Sequence, residues 1–477
     1  MKRFVIIIWK PLLLVAPLAI GMLGFWREGE SFLQALFNCV CMYALNYQET
    51  PANVLIEISR WLAPLATASG LVLVLSSLQQ WLHRVAARCT GKSVAVYGVE
   101  PEKSAVLKQL GVRSIPMDRE LVKAKQYILL GTEKENLAFY HKHEEAFAKR
   151  EVFIKCHSLP AQASTRAGLH LFCPEETAAR FFWEQYCPYP ISVQCGHKMK
   201  IVILGFGKLG KELLLQALQN LIFHPEQKIE YHIFGEAGSF CAVHHQLHQI
   251  ADPVIFHEEP WYEQVALLSA AEMIVVAQQE DQMTLLQELT LTLPQKTVHA
   301  LLAEPNGAAM LPGVVCFDWV STAYHPEHIL GNRLYAYAKK INLRYAHLYG
   351  GVEETTENLE KQWAALDTFT RYSNISAADY HSVQLKMIAH EGWQDPLEPQ
   401  CLERLAHLEH IRWCRYHYLN NWSYGVPDNG KNKDAKRRIH VDLRPYEILP
   451  SSEQEKDREN IRVLLQLDRD YEKGGRT

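Results

Sequence analysis

No C-x-x-C pair occurs in the 477 residues; the 11 cysteines are scattered and odd in number, and only Cys39 and Cys41 lie close together. That pattern offers neither a disulfide framework nor paired zinc ligands, and it suits reduced thiols. An excess of positive charge is also missing. Lys and Arg number 49 against 53 Asp and Glu, a formal net charge of −4, so no nucleic-acid partner is expected. The chain has no T-V-G-Y-G-like stretch, and with it no carbonyl ladder of a potassium filter. Its histidines, among them His244, His245, His248, His257 and His299, fall in no catalytic or metal-binding spacing. The length is too great for one core and sets two to four domains.

Long apolar runs are present. Phe4 to Trp26 is interrupted only by Lys10, and Trp61 to Leu78 forms a second run. Each approaches the ~20 residues that cross a bilayer. Lys2 and Arg3 before the first, and Arg84, Arg88 and Lys92 after the second, put both termini in the cytoplasm by the positive-inside rule. Residues 1–90 are therefore expected to be a two-span transmembrane hairpin, and the chain a multi-pass protein of the cell inner membrane. Between the runs, Ser31 to Val54 suits a short re-entrant or interfacial helix followed by the loop "ALNYQETP". Two readings fit. One is a simple anchor; the other is a pore of weak or non-potassium selectivity, with Asn46, Tyr47 and Glu49 in its loop.

From Ser93 strands alternate with helices, the pattern of parallel, doubly wound sheets. The first such unit, 91–195, follows its opening strand with "YGVEPEKS", one glycine where a dinucleotide loop wants three. It reads as a Rossmann-like shell without a phosphate site. The second, 196–330, is stronger. Strand Ile201 to Leu204 runs into Gly205-Phe206-Gly207-Lys208-Leu209-Gly210 and then an apolar helix. Gly205 permits the turn, Gly207 lets the backbone approach a pyrophosphate, and Gly210 allows close packing of helix on strand. The cofactor expected at 205–210 is NAD or another nucleotide. Glu236, after the next strand, is the candidate ribose ligand, although it lies further from Gly210 than the usual ~20 residues. Ligand sensing is favoured over hydride transfer, and no catalytic residue is assigned.

These parts resemble the RCK domains that regulate ligand-gated channels, in which Rossmann-like domains bind nucleotides or ions and pull on a two-span pore. Two-span hairpins form a pore only as oligomers, so the channel reading implies a homo-oligomer, most plausibly a tetramer. Residues 331–390 read as a helical connector. The tail, 391–477, resembles the ryanodine-receptor repeat, or RyR domain, a mainly α unit. The matching residues are Glu409-His410, Trp413, "NNWSYG" (Asn421, Trp422, Tyr424, Gly425), His440, Leu443, Pro445, Tyr446, Leu449, Pro450 and Lys456-Asp457-Arg458. The resemblance implies a small nucleotide-type ligand, a messenger of phage infection being one candidate.

Glu409, Arg412, Trp413 and His417 share one helix face. An indole there could stack on a base for ~1–3 kcal/mol, and Arg412 and Arg444 could fork onto phosphate. Trp422, Tyr424 and Tyr446 complete the candidate site, over which "KNKDAKRR", Lys431 to Arg438, could close. The same aromatic residues equally suit the core of a small domain. The sequence as a whole reads as a ligand-gated membrane channel or effector. A membrane-tethered NAD(P)-dependent oxidoreductase and a nonconducting scaffold are the alternatives.

Overall fold

The computed structural model describes residues 2–118, 120–157, 168–304, 307–331, 333–394, 396–428 and 430–474, with side chains of 2–14, 70–77, 80, 333, 334 and 470–474 outside the described part. The chain divides into two compact units, Met1–Ser93 with Val112–Ile115, and Val94–Gly111 with Pro116–Thr477.

The first unit contains the helices Lys2–Arg27, Phe32–Tyr43 and Val54–Cys89. They pack through Phe25, Ala35, Cys39, Met42, Ile56 and Ala63. Polar groups stitch them together. Ser59 Oγ donates to Pro17 O (2.7 Å), and Asn53 Nδ2 donates to Gly24 O (3.0 Å). Among the described residues no helix is long and apolar enough to cross a membrane. This overturns the transmembrane hairpin and, with it, the inner-membrane localisation and the pore. Helix Val54–Cys89 carries Glu57, Ser59 and Arg60 just before the second run and Thr67 and Ser69 within it, polar groups that dilute its apolar surface. Parts of both expected spans, residues 4–14 and 70–77, lie outside the described side chains. Of the loop residues, Asn46 and Glu49 are exposed, and Tyr47 packs edge-on against Phe25 at 5.7 Å.

Beyond the three helices the chain forms two sheets. Strands β1 (Val94–Gly98), β2 (Ser114–Met117), β3 (Gln126–Leu130), β4 (Glu151–Lys155) and β5 (Leu169–Phe172) form the first, in the order β2-β1-β3-β4-β5. This is the flavodoxin-like doubly wound order. Strands β6 (Lys198–Leu204), β7 (Lys228–Phe234), β8 (Val254–His257), β9 (Met273–Val276), β10 (Val298–Leu302) and β11 (Val314–Asp318) form the second, all parallel. Their order, β11-β10-β9-β6-β7-β8, is that of a complete dinucleotide-binding fold, with its switch point between β6 and β9. Alternation along β6 serves two cores. Ile201 and Ile203 meet helix Lys208–Asn220 on one face, and Val202 and Leu204 meet helix Gln282–Thr292 on the other.

The C-terminal part is helical: Thr368–Glu391, Pro399–Leu419 and Ser451–Gly474, with three two-residue strands, β12 (Ser423–Tyr424), β13 (Lys433–Asp434) and β14 (Ile439–His440). It does not stand apart. Tyr380, Leu405, Leu408 and Ile461 belong to the same buried cluster as Trp183, Leu213 and Ile203.

Candidate functional site: a glycine-rich switch point and the helices docked behind it

The switch point of the second sheet is built by β6 and the helix that follows it. Gly205 has φ +96°, and a Cβ there would lie 2.5 Å from the Gln278 backbone nitrogen, so the close approach of the β6 and β9 ends excludes any side chain. At Gly210 a Cβ would lie 2.1 Å from Gly205 O, which presses the helix against the strand. Gly207 differs. Its φ is −72°, a conformation open to any residue, and a Cβ there would meet nothing within 4 Å. It is the N-cap of helix Lys208–Asn220 and supplies no capping side chain. The first amides of a 13-residue helix are thus left facing outward beside the switch point, the arrangement that receives a phosphate.

Lys208 is the first residue of that helix and is exposed. Glu236 stands just past β7, exposed, with Oε1 accepting from Gly238 N (2.8 Å). The end of β7 touches the loop: a Cβ at Gly235 would sit 2.9 Å from Phe206 N. The long spacing to Glu236 has a visible cause. After the helix, Leu221, Ile222 and Phe223 are wholly buried, and Ile222 O accepts from Tyr380 OH (2.6 Å), so this extra segment docks the C-terminal helices.

The corresponding position in the first sheet is already filled by the chain itself. Glu100 Oε2 accepts from Ser104 N (3.1 Å) at the start of helix Glu102–Leu110, and Glu102 faces Lys155 (3.5 Å). An anion would meet two carboxylates there.

In the C-terminal helices, the face expected to grip a ligand is turned inward. Arg412 and Glu409 form a two-pronged pair (Nε–Oε2 2.9 Å, Nη2–Oε1 2.8 Å), and both residues are at most 1% exposed. Trp413 is half-buried, 4.0 Å in centroid distance from His417 and 4.9 Å from His440. Burial pushes His417 down to about 3 and His440 down to about 4, so both are neutral rings. Trp422 is buried and stacks on Phe369 (5.0 Å), while Tyr446 is buried with its hydroxyl donating to Glu403 (3.0 Å). Arg444 is half-buried beside Asp442 (3.7 Å), and Tyr424 is exposed. Of the four residues that spacing put on one face, Arg412 and Glu409 are paired with each other, while Arg412 Nη1 and Arg444 Nε are buried without a hydrogen bond.

The outer partner of this helix was not evident from the sequence. Arg415 sends Nη2 to Asp252 Oδ2 (2.7 Å) and Nη1 to Leu218 O (3.2 Å), joining helix Pro399–Leu419 to the second sheet's own elements. His244 bonds Leu419 O through Nδ1 (2.8 Å). Behind the glycine loop, a cleft of about 860 Å³ runs between helix Lys208–Asn220 and these C-terminal helices. Trp422, Phe369 and Tyr416 line its apolar wall, Lys433 and Arg438 belong to its basic part, and Glu176 and Glu212 to its acidic part. Burial, together with the Glu176 and Glu175 carboxylates, pushes Glu212 up to about 8. At one side the described residues bring His157, Cys173 and Glu175 together, with their ligand atoms within 4.8 Å of one another.

Comparison with known proteins agrees with this layout in its C-terminal part. Residues 397–468 match the sequence family described as the RyR domain. No curated protein matches the chain. Among solved structures, the chain is similar to the crystal structure of one of the subunits of dipicolinate synthase from Bacillus halodurans, at 10% identity and a TM-score of 0.22, over 49% of this chain and 95% of that one.

Proposed function

We propose that the chain is a nucleotide-responsive protein in which a dinucleotide such as NAD binds at Gly205–Gly210 and the RyR domain registers its presence. The observation that carries this reading is Gly207. The fold itself requires glycine at 205 and 210, but nothing in the fold requires it at 207, where the empty space lies over a helix N-terminus. A pyrophosphate would accept from the first helical amides, Lys208 would add a cation, and Glu236 would accept from a ribose hydroxyl. The RyR domain is then poised to respond because helix Lys208–Asn220 begins at the loop and ends against it. Leu218 O near its end accepts from Arg415 Nη1 of the RyR domain (3.2 Å), and Gln219 Oε1 accepts from Ser376 Oγ (3.1 Å) of the preceding helix Thr368–Glu391. A ligand acts through such a helix only by favouring one of its arrangements.

The test is a thermal melt of the full chain with NAD, NADH, NADP, NADPH and the corresponding mononucleotides. A ligand at ~100 times its dissociation constant adds ~2.7 kcal/mol, a readily visible shift. Stabilisation by one dinucleotide class supports the reading, and a flat panel removes it. Oxidation of NADH that requires an added carbonyl compound as hydride acceptor would turn the reading into a dehydrogenase.

A further inference from the structure

A different part of the molecule carries chemistry unconnected with nucleotide binding. Strands β4 and β5 are parallel neighbours in register, with Lys155 opposite Phe172, so the residues just beyond them emerge side by side. His157 follows β4 by two positions. Cys173 follows β5 directly and is the N-cap of helix Pro174–Gln185, whose second residue is Glu175. Two adjacent strand ends and one helix start therefore bring together an imidazole, a thiol and a carboxylate. The His157 main-chain nitrogen is in turn held by Glu133 Oε2 (3.1 Å).

The three ligand atoms lie within 4.8 Å of one another, close enough to share one ion after small side-chain adjustments. His157 Nδ1 lies 3.0 Å from Glu175 Oε2, and Cys173 Sγ lies 3.4 Å from the same oxygen. Tetrahedral zinc, with bonds of ~2.0–2.3 Å, separates its ligand atoms by about 3.3–3.7 Å. His157 Nδ1 is buried and lies at ion-pair distance from Glu175 Oε2 without an aligned hydrogen bond to it. His157 and Cys173 both line the 860 Å³ cleft.

We propose that His157, Cys173 and Glu175 form a binding site for a zinc-type divalent cation, with a fourth position open to the cleft. The sulfur and imidazole select a borderline or soft transition metal over magnesium or calcium, which prefer oxygen alone. Three protein ligands and one exchangeable position would let the ion hold water or an anionic group of a molecule in the cleft. The metal needs the three groups as thiolate, neutral imidazole and carboxylate, and binding releases the thiol proton to solvent.

Cobalt(II) reads the site directly. The full chain, stripped with chelator, is titrated with Co2+ and then with Zn2+, with far-ultraviolet circular dichroism confirming the fold of every variant. The expected result is a thiolate-to-cobalt charge-transfer band saturating at one equivalent per chain and displaced by Zn2+. Cys173→Ser removes the band, Glu175→Gln keeps it but weakens binding by about tenfold or more, and Cys401→Ser leaves both unchanged. The proposal is overturned by the absence of a thiolate band, by a band that survives in folded Cys173→Ser, or by undiminished affinity in Glu175→Gln.

Discussion

Arg415 and Asp252 meet at 2.7 Å with side chains 5% and 0% exposed, and this pair fastens the RyR domain to the nucleotide fold. Asp252 is saturated: Oδ1 accepts from Ile229 N (2.9 Å), and Oδ2 also accepts from Gln227 Nε2 (2.6 Å). A carboxylate so placed organises the entry to β7 and the dock at once. Removing one charge of a buried pair strands the other, at a cost of about 3–5 kcal/mol. Arg415→Ala and Asp252→Ala are each expected to lose about that much in denaturant unfolding. The double variant should lose less than the sum, because the stranded charge is then gone as well. Strict additivity would show that the pair does not interact.

The glycines of the loop should separate folding from binding. Gly210→Ala puts a methyl 2.1 Å from Gly205 O and should lower the melting temperature markedly. Gly207→Ser meets nothing within 4 Å and supplies a capping hydroxyl, so its melting temperature should hold or rise slightly. Parallel melts of the two proteins check this contrast.

Arg412 is predicted to matter for stability and not for ligand affinity. Its Nε and Nη2 are committed to Glu409 inside the helix packing, and its Nη1 is buried without a hydrogen bond. Arg412→Ala should therefore cost about 3–5 kcal/mol while leaving nucleotide affinity in the surviving folded protein unchanged. A large loss of affinity with a normal melt would restore this arginine as a ligand group.

Acid should weaken the RyR domain through His417 and His440. Their folded values, about 3 and about 4, lie below the ordinary value of 6.5. The unfolded chain then binds more protons as pH falls, so the stability these rings contribute is complete above pH 6.5. It is lost progressively as pH falls through 6.5 toward 4, by at most about 1.4 kcal/mol per pH unit for each ring. His410 runs the other way. Although burial opposes its charge, Asp457 and Cys414 push it up to about 11, so its contribution is present below 6.5 and fades toward alkaline pH. Melts of wild type and His417→Gln from pH 7.5 to 4.5 should show a shallower acid slope in the variant.

Much of the nucleotide fold could be read from the residues because its information is local. Parallel strands buried on both faces appear as apolar runs, and the three glycines sit between one such strand and its helix. The short strands β2 and β5 escaped because four residues, one a proline in "SIPM", give too little pattern. The apolar N-terminal runs suggested a membrane because length and composition do not reveal the polar contacts, such as Ser59 with Pro17, that pair these helices. In the RyR domain, spacing identified a shared face but not its partner: that Arg412 faces Glu409 and Arg415 faces Asp252 is decided by tertiary packing. His157 lies 16 residues before Cys173, and no sequence spacing links them; only the adjacency of β4 and β5 does. The one available signal was that each follows a strand at its C-terminal end, the edge where α/β sheets place their sites.

Isothermal titration calorimetry of the full chain with NAD, repeated on Gly207→Asp, tests the central claim most directly. Aspartate at 207 fits the open space and caps the helix, yet sets a negative charge where the pyrophosphate would lie. The account predicts one site per chain in wild type and none in a variant that melts at the wild-type temperature. Binding of equal strength in both proteins, or no heat from wild type with NAD or any other adenine dinucleotide, would contradict it.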